Sequence, residues 1–181
     1  MRIEVKSLSE IALFTSFTAA GSFIKIPLLP VPVTLQTFFV YLSGDLLGSR
    51  KAAVSQALFL ILGLMGIPVF SEGGGIGYII RPTFGYLVSF PLAAWMIGMM
   101  LEKFCRSKGF KDFMISNIVG LVIIFSIGVV YLYLNINLVV HKTMTWSQAM
   151  VSGVALFLPF ELLKLVGAAL LAGKILSVLE R

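Results

Sequence analysis

Charge is scarce in this chain of 181 residues: Asp, Glu, Lys and Arg make up 12%, about half the share of an ordinary soluble domain. Cysteine is nearly missing. The single Cys105 excludes an internal disulfide and a CxxC metal site, and it is expected to be an inert thiol beside a loop. The single histidine, His141, has no carboxylate near it in sequence, no serine stands in a GxSxG elbow, and no acidic pair has metal-ligand spacing. Enzyme chemistry is therefore not expected, and neither a metal nor a cofactor is required. The stretch SEGGGIGYIIRP, residues 71 to 82, has neither a Walker pattern nor GxGxxG, which argues against a nucleotide loop.

What the chain has instead is apolar surface. Hydrophobic residues make up 59% and the mean hydropathy is +1.02, more than a soluble fold of this length can hide. The expected class is an all-α integral membrane protein with 1–181 as a single membrane domain. A spanning helix takes about 20 residues, and six candidates emerge near 8–26, 33–48, 52–69, 83–101, 113–134 and 146–178. Prolines in PLLPVPV close the first, and Gly48 with the charged SRK closes the second. The last is long enough for a loop-packed first turn or a kink at Pro159. The run IALFTSFTAAG has the pattern of a signal-peptide core, but the apolar stretch continues to Ile26 and is assigned to the first helix. Any ATPase is expected on another chain.

A net charge of +6 in a membrane protein reports cytoplasmic loops rather than nucleic acid. With the N-terminus inside, Arg2, Lys6, Arg50, Lys51, Lys103, Arg106, Lys108, Lys111, Lys174 and Arg181 are cytoplasmic, and Lys25, Arg81 and Lys142 are outside. Ten against three places both termini in the cytoplasm.

The polar residues inside the apolar runs are the candidate site. A charge at mid-helix in lipid costs about 2.5–3.5 kcal/mol on insertion scales, and Glu161 and Lys164 place two of them three residues apart on one helical face. Either they neutralise each other, or they offer an acceptor and a donor to a neutral polar ligand head. Arg81 opens the fourth helix after the glycine-rich segment. It is a snorkelling arginine, a partner for Glu72, or a guanidinium held for an anionic group. The last option implies an elongated ligand with a neutral hydrogen-bonding head and one negative tail. The glycines of 73–77 suit a lid that moves, or simple loop flexibility. Tyr86, Trp95 and Trp146 are pocket or interfacial-belt aromatics. In the first helix Ala12, Ser16 and Ala20 recur once per turn, a small-residue face for close packing within the chain or against another membrane subunit.

Together PVPVTLQTF, LGLMGIPVF with the glycine-rich loop, RPTFGYLVSFPLAA and PFELLK resemble the BioY family, the biotin-binding S components of energy-coupling factor (ECF) transporters. The resemblance covers nearly the whole chain. It implies a six-helix S-component bundle in the cell membrane, with a biotin site near the outer face. It also implies a partner module of one transmembrane T component and two cytoplasmic ATPases. Carried over by position, Glu161 and Lys164 match the family's acid and lysine for the ureido head, and Arg81 its arginine for the valerate tail. Gln36 and Tyr86 become site-lining. The family commonly has aspartate at the first of these, so Glu161 departs by one methylene. No asparagine stands in the outer loop where relatives have one; Ser71 and Glu72 are the substitutes present. Ala12, Ser16 and Ala20 resemble the alanine motif that docks the T component. The expected function is biotin capture for uptake. The alternatives are capture of another small carboxylate-bearing vitamin, and a structural membrane subunit whose charges set helix register.

Overall fold

The computed structural model describes residues 5–27, 31–104 and 109–179; Cys105, Arg2, Arg106, Lys108 and Arg181 lie outside the described residues. Among the described residues six helical units follow one another. They are α1 (Val5–Phe23), α2 (Gln36–Leu47), α3 (Ser49–Leu64), α4 (Phe84–Lys103), α5 (Phe110–Leu138), and a final unit in which α6 (Trp146–Met150) continues through a π turn at Val151–Ala155 into α7 (Leu158–Leu179). A small hairpin, β1 (Lys25–Ile26) with β2 (Val33–Thr34), joins α1 to α2 in antiparallel register. One short 3-10 turn, Ile76–Ile80, lies in the loop before α4.

Among the described residues three of these units are long and apolar enough to cross a membrane: Phe84–Lys103, Phe110–Leu138 and Trp146–Val178. α1 has the 19 residues expected of its run, whereas α2 and α3 are shorter than the apolar runs suggest. At about 1.5 Å per residue, α2 with 12 residues and α3 with 16 reach roughly 18 and 24 Å, against about 30 Å of hydrocarbon. The apolar run to Val69 ends as helix at Leu64, because Gly66 turns at φ 104 and Pro68 cannot continue the ladder. In the last unit the break falls just before Pro159, and the proline occupies the first turn of α7, where its missing N–H costs nothing.

α4 is the central helix, packed on α2, α3 and α5, while α7 packs on α2 and α5, and α1 on α2 and α3. Close approach is built in: a Cβ on Gly98 would stand 2.4 Å from the Ser49 nitrogen. The α2–α3 corner turns on Gly48 at φ 77, and Glu102 from α4 clamps it. Its carboxylate accepts the Ser49 N–H at 2.8 Å and the Ser49 hydroxyl at 2.7 Å, an anion placed at the start of α3. A buried Asn117 amide on α5 donates to Asp45 on α2 at 2.9 Å. Outward faces are apolar, with Leu8, Leu13, Ile115, Val122, Leu134, Leu163 and Leu170 exposed. That pattern over helices of this length marks a membrane protein.

Candidate functional site

Residues of α2, α4, α5 and α7, the β2 segment and the 65–83 loop enclose a cavity with about 530 Å³ of empty space, the part open to solvent included. Its walls are mostly apolar, with Leu87, Phe90, Ile124, Phe125 and Phe157. Glu161 supplies its charged group.

Glu161 is held from three directions. Its Oε2 accepts from the Tyr41 hydroxyl at 2.8 Å, and its Oε1 accepts from the Thr37 hydroxyl at 3.0 Å and from Lys164 Nζ. Lys164 also donates to Thr37 Oγ1 at 2.6 Å and to the Thr34 carbonyl at 2.9 Å. An ammonium has three protons, and here all three have protein acceptors. A carboxylate accepts about four bonds, and Glu161 receives three. The pair thus presents a spare acceptor to the cavity, and the lysine stands behind it as the compensating charge. Both side chains are buried, where an unpaired ion is far more costly than on a surface.

Gln36 is the second polar group in the wall. Its Oε1 accepts from the Thr34 hydroxyl at 3.0 Å, and its Nε2 is buried with no protein partner. A buried donor left unsatisfied costs about 1–3 kcal/mol, a cost that a ligand carbonyl would relieve. Tyr86 also lines the cavity, but its hydroxyl donates to the Gly153 carbonyl at 2.8 Å.

The cavity wall on the side of the 65–83 loop is polar. Ser71, Tyr78 and Thr83 line it, with Ser71 Oγ and Tyr78 Oη 3.3 Å apart. Lys25 of the hairpin donates to the Ser71 carbonyl, which ties the α1–α2 connection to the 65–83 loop. Arg81 stands apart from the cavity wall. Its side chain is 57% exposed, faces Glu72 at 3.7 Å, and lines a separate surface depression with Glu72, Gly77 and Val140. The structure therefore joins Glu161, Lys164, Gln36 and Tyr86 in one site and leaves Arg81 outside the cavity wall.

Trp95 and Trp146 are not in the cavity wall; Trp146 packs edge-on against Tyr133. Among the described residues no group of His, Cys, Asp and Glu is placed to hold a metal. On α1, Ala12, Ser16 and Ala20 are all exposed, while Ile11, Phe14, Thr15 and Thr18 pack inward. The small-residue face is thus not spent on packing within the chain.

Two residues essential to this geometry are not singled out by the sequence. Thr37 and Tyr41 look like ordinary members of an apolar helix, and their partner lies 124 and 120 residues away.

An all-helical bundle with membrane-spanning lengths and an enclosed, acid-based cavity defines a membrane-embedded ligand-binding protein. Across residues 1–181 the chain matches the BioY family, and it belongs to that family. It is 44% identical over 172 residues to the probable biotin transporter BioY of Lysinibacillus sphaericus, covering 95% of this chain and 87% of the relative. It is 40% identical over 169 residues to the biotin transporter BioY of Thermotoga maritima, covering 93% and 94%. The crystal structure of the S-component for biotin from an ECF-type ABC transporter superposes with a TM-score of 0.85 at 25% identity, covering 96% of this chain and 92% of that one. The family is one of transporter subunits rather than enzymes.

Proposed function

We propose that this chain is the substrate-capture subunit for biotin uptake, and that its cavity takes the ureido ring at Glu161 and Gln36. The observation that carries the reading is the Glu161 carboxylate, fixed by Tyr41, Thr37 and Lys164 in the wall of a mostly apolar cavity. Biotin's ring offers two N–H donors and one carbonyl. Glu161 has acceptor capacity to spare, and the Gln36 amide is a buried donor without a partner. The apolar bicycle and chain lie against Phe90, Tyr86 and Phe157, leaving the valerate carboxylate at the mouth.

Arg81 serves that tail after leaving Glu72, which it faces at a distance too long for a tight pair. Both termini are cytoplasmic in this reading, so the mouth opens outward. The exposed face of Ala12, Ser16 and Ala20 docks a transmembrane T component, and two cytoplasmic ATPases on separate chains supply the energy. Capture itself uses no cofactor. The test is a calorimetric titration of the purified chain with biotin. Calorimetry suits it better than tryptophan fluorescence, since neither Trp95 nor Trp146 lines the cavity. Heat of binding at micromolar biotin is expected; folded protein that gives none sinks the proposal.

A further inference from the structure

Tyr86 belongs to the cavity wall, yet its hydroxyl is engaged elsewhere, in the bond to Gly153. That bond sits where the last helical unit departs from α-helical geometry. The Leu156 N–H bonds the Val151 carbonyl at 3.2 Å, five residues back, and the Phe157 N–H bonds Val154 at 3.0 Å. In an α-helix the Phe157 N–H would be directed at Gly153. The π turn thus releases the Gly153 carbonyl from its usual donor, and a buried carbonyl needs another. Tyr86, from a different helix, supplies it.

Two glycines make the space for this contact. A Cβ on Gly128 of α5 would lie 2.3 Å from Tyr86 Cδ1, and a Cβ on Gly153 would lie 2.6 Å from the Tyr86 hydroxyl oxygen. The π turn leads directly into the functional end of α7. Phe157 lines the cavity, and Glu161, whose N–H bonds the Phe157 carbonyl at 2.9 Å, contributes its carboxylate. The angle and register at which α7 leaves the turn therefore decide where both side chains stand. π turns of this kind occur often at functional sites.

We infer that Tyr86 is a positioning residue for the head-binding end of the cavity: by holding the Gly153 carbonyl it fixes the π turn, the start of α7, and so the placement of Phe157 and Glu161. The inference rests on the proposed capture of biotin and deepens it.

The test uses the full chain in lipid nanodiscs with Tyr86→Phe, which keeps the ring and removes the hydroxyl. Amide hydrogen exchange over 150–158 is expected to rise in the ligand-free protein. Biotin and biotin amide are expected to weaken together, by about three- to tenfold. Gly153→Ala alone is expected to weaken both ligands too, because its Cβ meets the Tyr86 oxygen. In the Tyr86→Phe background that oxygen is gone, while Leu132 Cδ2 still stands 2.8 Å from the added Cβ, so the double variant should lose less than the sum of the two single losses. Affinity lost with exchange over 150–158 unchanged overturns the inference, since Tyr86 then acts on the ligand directly. Raised exchange with unchanged affinity overturns it as well, and so do losses that simply add in the double variant. Wild-type protein that binds no biotin contradicts the functional reading, whereas the exchange result in ligand-free protein decides the link between Tyr86 and the turn independently.

Discussion

At the Glu161 end of the cavity Lys164 gives all its protons to protein acceptors, and Tyr41, with 0% exposure, holds a carboxylate oxygen. On the side of the 65–83 loop Arg81 is more than half exposed, and Lys25 reaches across from a hairpin to a loop carbonyl. The buried end is preorganised, so a ligand meets groups whose ordering has already been accomplished by folding. Arg81 and Lys25 are exposed cations outside the cavity wall, in a high-dielectric setting where each interaction is weak and screened by salt. In the proposed reading, affinity and head recognition belong to the buried end, and discrimination by tail charge belongs to Arg81.

The contrast can be broken most severely at Lys164. Lys164→Met keeps the aliphatic stem and leaves Glu161 buried without its counter-charge, a loss of about 3–5 kcal/mol for pairs of this kind. Thermal unfolding in detergent should show a large drop in midpoint, and biotin binding should vanish. Arg81→Ala should leave stability unchanged, weaken biotin several-fold and spare biotin amide, which lacks the charged tail. The effect should shrink as salt is raised, as expected for an exposed cation. Equal losses for the two ligands would reject the tail assignment and point to Lys25 as the next substitution. Smallest for binding, and confined to transport, is a bulky residue such as Leu at Ala12 or Ser16. Titrations should be unchanged, whereas uptake with the partner module should fall. Lost binding there would show that the stripe packs within the chain after all.

The two ends also differ in how far they could be inferred from residue order. Glu161 and Lys164 stand out because charges three residues apart in an apolar run are costly unless they meet. Their common face follows from helical geometry alone. Arg81 stands out for the same reason, but its charge does not reveal its direction, and the contact with Glu72 depends on how the 65–83 loop folds. Pro159 announces an interruption in the last helix. The π turn before it is not announced, because the contact at Gly153 comes from Tyr86, 67 residues earlier. Apolar runs likewise overestimate α2 and α3, since hydropathy continues past Leu64 where Gly66 and Pro68 end the backbone ladder. Local cost is visible in a sequence; partners brought together from distant helices are not.

Whether a fixed carboxylate reads a neutral ureido head is decided by Glu161→Gln. Calorimetry with biotin and with biotin amide, on variant and wild type shown to be folded, measures both ligands against the same change. The account predicts that the variant loses both by the same factor, about ten- to a hundredfold, as befits hydrogen bonds to a charged group. Unchanged binding, or a loss confined to biotin, would contradict it.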